Sequence, residues 1–133
     1  MESWKQYIVA GDQAFQHCEN RAAIHCYKQA SACARQHLGC WYDTQAVLSA
    51  LVSSDLKVVE AQCRLECFEE AVETYSSLSL ELRKFQCHVE PSNPIAVVVT
   101  QAINRVKEEF INLTKVYAYD ILSASKRTPL LLK

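Results

Sequence analysis

The sequence has little of what ends a helix. It holds two glycines and three prolines in 133 residues. Turns are therefore few and elements long, which favours an all-α fold. Two isolated glycines also exclude a glycine-rich loop that cradles phosphate. Long apolar runs are missing. Runs such as Ile95–Val99 and Leu130–Leu132 fall far short of the ~20 residues that span a bilayer, so no membrane is expected. An excess of one charge is missing too. Fourteen Lys and Arg face fifteen Asp and Glu, for a net charge of −1. Nothing in that balance neutralises a phosphate backbone, so nucleic acid is not an expected partner. Lys5, Gln6 and Asp12 interrupt the first apolar residues. No secretory leader is read there, and a cytoplasmic protein is expected.

Half of the residues are hydrophobic and 22% are charged, the mixture of an ordinary globular domain. The hydrophobic residues are periodic. Trp4, Tyr7, Ile8, Gly11, Ala14, Phe15 and Cys18 recur at steps of three and four, the repeat of one helix face. Glu19 and Asn20 interrupt the pattern, and a second stripe follows at Ala23, Tyr27, Ala30 and Ala34. Each helix alone would leave its apolar face in water, so the two are expected to pair as a hairpin. Gly11 is informative, because glycine inside a helix costs about 1 kcal/mol relative to alanine. The alanines of the second stripe predict that two helix axes come close at Gly11, with Tyr27 and Phe15 on the flanks.

Tyr7, Ala10-Gly11, Ala14, Ala23-Ile24, Tyr27 and Ala30 stand, without a gap, where a tetratricopeptide repeat (TPR) places its aromatic, small and aliphatic residues. The stretch resembles one TPR unit, with Ala10 in place of the usual leucine and no closing proline. A second, degenerate unit resembles the first: Ala71-Val72 correspond to Ala23-Ile24 and Tyr75 to Tyr27, at an offset of 48 residues, with Val59 in the slot of Gly11. A TPR unit has about 34 residues. The second unit is thus expected to carry a first helix about fourteen residues longer, or an inserted one. The chain as a whole is also similar to small uncharacterised bacterial TPR-like proteins.

Between these units, Gly39 reads as a helix stop, and Trp41-Tyr42 open a run to about Leu65. Leu48, Val52, Leu56, Val59 and Cys63 form one stripe of that run. Val47, Leu51, Val58 and Leu65 form a second. Two stripes mean a helix packed on two sides. Ser53-Ser54-Asp55 interrupt it as a kink or a fresh start, and one continuous helix is favoured. After the loop Glu90–Asn93, Asn93 is a candidate N-cap with Pro94 in the first helical position. A long closing helix then runs to about Ala124. The architecture expected is all-α: TPR-like antiparallel helical hairpins, about five helices, in one domain over residues 1–126. A tail of residues 127–133 follows.

Cys18, Cys26, Cys33, Cys40, Cys63, Cys67 and Cys87 are odd in number and lie within apolar patterns, as reduced thiols used as small hydrophobes do. Cys63/Cys67 and Cys33/His37 are spaced by four, but no second pair completes a zinc set, so neither a metal nor another cofactor is expected. Cys33 with His37 is the one pairing that offers a nucleophile and a base, and no enzyme is expected from it.

The TPR resemblance implies binding instead. In TPR arrays the first helix of each pair lines a concave face. Here that face would carry Lys5, Val9, Asp12 and Gln16, with Ile8 and Phe15 at its edge. Ile8 and Asp12 stand where carboxylate-clamping TPR modules carry Lys and Asn, which speaks against that specificity. The expected function is a protein–protein interaction module, a scaffold, adaptor or chaperone-type protein, that holds a peptide or helix in a groove. Self-association through an uncapped end is a further expectation. A cysteine-based thiol or metal sensor is the alternative.

Overall fold

The computed structural model describes residues 2–38 and 43–127. Gly39, Cys40, Trp41-Tyr42 and residues 128–133 of the tail lie outside the described residues. Five helices follow one another: α1 (Glu2–Gln16), α2 (Asn20–His37), α3 (Thr44–Arg64), α4 (Phe68–Cys87) and α5 (Pro94–Arg127). The fold is all-α, with no strand among the described residues. None of these helices is long and apolar enough to cross a membrane.

Both hairpins turn by the same device. Cys18 and Glu66 have positive φ, 58° and 63°. The amide of Glu19 donates to the carbonyl of Ala14 at 2.9 Å, and that of Cys67 to Gln62 at 2.9 Å. Cys18 donates to Phe15 and Glu66 to Cys63. This pair of bonds around a left-handed residue satisfies carbonyls that a helix end leaves orphaned. Cys18 and Glu66 stand 48 residues apart, the offset that relates Tyr27 to Tyr75. The same turn thus recurs at the offset of the side-chain pattern. α3 starts six residues before the position equivalent to the start of α1, which accounts for part of the extra length.

Helix starts follow local chemistry. The carboxylate of Asp43 accepts from the amide of Ala46 at 3.0 Å and caps α3. The side chain of Asn93 accepts from Ile95 at 3.0 Å and caps α5, with Pro94 in the first helical position as expected. α3 is continuous through Ser53-Ser54-Asp55. α5 keeps helical angles to Tyr117, where φ −119° and ψ 30° break them.

Contacts set the directions. Ser31 and Arg35 of α2 meet Asp55 of α3, Gln62 of α3 meets Thr74 of α4, and Gln86 and Tyr75 of α4 meet Thr100 and Phe110 of α5. Consecutive helices are antiparallel. α1, α3 and α5 therefore run one way, and α2 and α4 the other. α3 packs against the other four, while the backbones of α2 and α4 stay apart.

The main core joins Leu48, Leu51, Val52, Leu56, Leu78, Leu82, Val99 and Val106 from α3, α4 and α5. A second cluster, Ala23, Tyr27 and Val58 with Ile8, Ala14 and Phe15, holds α1 to its neighbours. Gly11 is buried there. The close approach differs from the expectation in its partner: a Cβ at Gly11 would meet the ring of Tyr27, 2.5 Å from Cε1, rather than the alanines of α2. Ala23 and Ala30 are fully buried, and the aromatic ring fills the notch. In the second hairpin Val59 takes the slot of Gly11; it is fully buried and packs with Ala71 and Val72. The equivalent ring, Tyr75, packs instead on Phe110 of α5, centroids 3.9 Å apart and planes 11° from parallel.

Candidate functional site

α3 buries thirteen of its residues, so only a narrow strip reaches the surface. Gln45, Ser49, Ser53, Lys57, Glu60 and Arg64 form it, at steps of three and four. It faces outward between α1 and α5. The opposite side of α3 carries Asp55, Val58 and Gln62 and floors a gap between α2 and α4. Each side is a candidate surface.

On the α1 side of the strip, Asp12 Oδ1 accepts from Tyr27 Oη at 2.6 Å and from Lys57 Nζ at 2.9 Å. Burial, the largest influence on Asp12, pushes its carboxyl up. The bonds from Tyr27 and Lys57 together outweigh it and hold the group below the usual carboxylate value. Burial and the Asp12 carboxylate push the Tyr27 phenol far up, so it stays a donor. Lys57 Nζ also stands 5.5 Å from the Tyr27 ring centroid. Arg64 lies over Phe15, 3.5 Å from the ring centroid, and donates to the Phe15 carbonyl at 2.7 Å. Trp4 Nε1 donates to Ser54 Oγ at 2.7 Å.

The six residues expected on the binding face divide into two sets. Lys5, Val9 and Gln16 are exposed, and Asp12 is half-buried at the border with α3. Val9, at 55% exposure, is the apolar member of this strip. Ile8 and Phe15 are half-buried and pack on the Ala23–Tyr27–Val58 cluster, so they belong to the hairpin core. Tyr7 sits at the surface edge with 36% exposure.

On the α5 side, two recesses open between α3 and α5. The first, of about 150 Å³, is lined by Leu48, Val52, Val98 and Ala102, with exposed Ser49 and Gln101 beside them. The second, of about 170 Å³, is lined by Leu56 and Leu113 among Lys57, Glu60 and Glu109. Arg105 borders both and donates to Ser53 Oγ at 3.0 Å. An apolar cavity of about 150 Å³ holds one benzene ring, so each recess is the size of a single side chain. Apolar lining with a few placed polar groups is the composition of a binding site.

The gap between α2 and α4 is larger, about 670 Å³, but polar. Asp55 is buried in it, 5% exposed. Its carboxylate accepts from Ser31 Oγ at 2.6 Å and from Arg35 at 2.8 Å. Arg35 also pairs with Glu81 of α4 through two nitrogens, at 3.0 and 2.7 Å, and with Ser31. Burial raises the Asp55 carboxyl above its usual value against the opposing pull of Arg35 and Ser31. The Glu81 bonds lead the influences that raise Arg35, so it stays charged. No buried side-chain N or O among the described residues lacks a partner. Ser31, Arg35, Asp55, Gln62 and Thr74 of this gap join α2, α3 and α4 through these bonds.

Sequence reasoning did not single out Lys57 or Arg105, and it gave Ser53 no role at the surface. The available signal was Ser53-Ser54-Asp55 inside an apolar helix. Those residues mark where each side of α3 meets a polar partner, and the helix has no kink there.

The cysteines are free among the described residues. Cys63 and Cys67 do not share a helix: Cys63 is buried in the last turn of α3, and Cys67 stands at the N-cap position of α4 without a side-chain capping bond, its Sγ 3.8 Å from the Leu65 carbonyl. Burial, with Glu60 nearby, pushes the Cys63 thiol up to about 11, which keeps it protonated and unreactive near neutrality. No cluster of three metal-ligating side chains occurs among the described residues. Comparison with family models, with curated proteins and with solved structures finds no match to this chain.

Proposed function

We propose that the chain is a TPR-like protein-interaction module, without catalytic activity of its own, that holds a segment of another polypeptide along the layer of α1, α3 and α5. One observation carries the reading: the paired recesses between α3 and α5, the first lined mainly by apolar side chains and the second by Leu56 and Leu113 among charged ones, each with room for one side chain. The shared direction of α1, α3 and α5 and the repeated turns at Cys18 and Glu66 support a superhelix of hairpins. In such an array the first helices of the hairpins make one continuous surface. Lys5, Val9, Asp12 and Gln16 extend that surface on the α1 side. A cytoplasmic location, the absence of a cofactor and a protein or peptide partner belong to the same reading.

The test is a peptide-display selection on the folded chain, repeated on Ser49→Arg. Ser49 is exposed at the rim of the first recess, so a long cation there blocks the recess without touching the core. The reading predicts enriched peptides that bind the parent chain and lose at least tenfold in affinity on Ser49→Arg. Enriched peptides that bind both proteins equally, or no enrichment, would overturn it.

A further inference from the structure

The recesses carry information about what fits them. Leu48 and Leu56 of α3 line the first and the second, eight residues apart; Ala102 and Glu109 of α5 line them seven apart. At 1.5 Å per residue the recesses are offset by about 10–12 Å along the groove. Residues seven or eight apart on a helix share a face and are separated by the same distance. A strand at ~3.3 Å per residue puts same-face side chains ~7 or ~13 Å apart, which brackets the spacing without meeting it.

Arg105 stands at the midpoint. Its recorded bond is the one to Ser53 Oγ, and among the described residues it takes part in no ion pair. A guanidinium has five N–H donors in a fixed fork, so Ser53 anchors it and leaves donors for a ligand. Around the first recess Arg105 is the sole charged group, beside Gln45, Ser49 and Gln101. Glu60 and Glu109 border the second recess, together with Lys57. Lys57 is held by Asp12, so the second recess is acidic on balance; the uncompensated positive charge is that of Arg105 toward the first recess, where a carboxylate held through two parallel N–H bonds would meet it.

Resting on the reading above, the geometry points to one class of occupant: an amphipathic helix of a partner protein, with two apolar side chains two turns apart seated in the recesses and an Asp or Glu between them on Arg105.

The probe is a synthetic helix-forming peptide with leucines seven residues apart and Glu at the fourth position after the first leucine. Its other positions are Ala, Gln and Lys, and binding is read by fluorescence anisotropy. On the parent chain, replacing that Glu by Gln is expected to weaken binding about tenfold, the usual scale for a charge-assisted bond. On Arg105→Gln, whose fold is checked by circular dichroism, the two peptides are expected to bind alike. A peptide with its leucines four apart is expected to bind at least tenfold more weakly than the parent probe.

Equal binding of the Glu and Gln peptides to the parent chain, discrimination that persists in Arg105→Gln, or no binding of the probe would overturn the inference. A dimer in sedimentation that Arg105→Gln dissociates would overturn it too, because a second copy would then be the occupant. Ser49→Arg separates the two levels. If it abolishes peptide binding while Glu and Gln peptides bind alike, the groove stands and only this occupant fails. If it leaves binding intact, the groove itself fails.

Discussion

The ring of Tyr27 occupies the space that a side chain at Gly11 would need: a Cβ there would lie 2.5 Å from Cε1 and 2.6 Å from Cδ1. The ring has nowhere to go. It is 2% exposed, and its hydroxyl is tied to Asp12. Gly11→Ala gains about 1 kcal/mol of helix propensity but overpacks the notch, which costs about 1–3 kcal/mol. A net loss of stability in urea denaturation is expected, and a larger one for Gly11→Leu. Equal stability of the parent and Gly11→Ala would show that the ring yields.

The buried carboxylate at Asp55 makes the α2–α4 bridge asymmetric. Arg35→Met leaves Asp55 buried with Ser31 alone, and removing one partner of a buried pair costs about 3–5 kcal/mol. Arg35 is partly exposed, at 39%, so the lower end is expected. Glu81, at 36%, is similarly wet, and Glu81→Gln is expected to cost under about 1 kcal/mol. Chemical denaturation of the two variants checks the order; similar losses would mean that the bridge acts as a surface pair.

The two aspartates predict opposite pH slopes. Asp12 is held below 3.8 in the folded chain, so its contribution is present above that value and is lost as pH falls through the folded one. The advantage of the parent over Asp12→Asn should shrink on acidification. Asp55 is raised above 3.8, so the folded chain prefers it protonated. The advantage over Asp55→Asn should fall as pH rises from 3.8 through the raised value. Urea midpoints of the three proteins across the acid range decide it, and parallel curves would contradict both assignments.

Neither left-handed turn residue is a glycine. An L-residue in this conformation costs about 1–2 kcal/mol, so Glu66→Gly, exposed at its turn, is expected to raise stability by roughly 0.5–1 kcal/mol after the entropy that glycine adds to the unfolded chain. A drop in the thermal midpoint would show that the side chain of Glu66 matters more than its backbone.

The turns also show what was legible in the sequence. The apolar stripes of α1 to α5 announce the helices, because burial of one face needs residues at fixed steps. Asn93-Pro94 announces the start of α5, because its capping chemistry is local. Cys18 and Glu66 announce nothing, since neither is the glycine that usually marks a left-handed turn position. Gly11 advertises a close approach but not its partner: Ala23, Ala30 and Tyr27 all lie on the facing stripe, and only three-dimensional packing selects the ring. The expected binding residues split for a similar reason. Helical spacing puts Ile8 and Phe15 beside Lys5 and Asp12, and the position of α3 decides which of them are covered. Arg105 and Ser53 meet across 52 residues, a relation that no local pattern carries.

The most direct measurement is an amide NMR titration of the chain with a peptide enriched by display. The account predicts that shifts cluster at Ser49, Ser53, Gln101 and Arg105, on the surface between α3 and α5. Shifts confined to Lys28, Glu73 and Ser77, around the gap between α2 and α4, would contradict it.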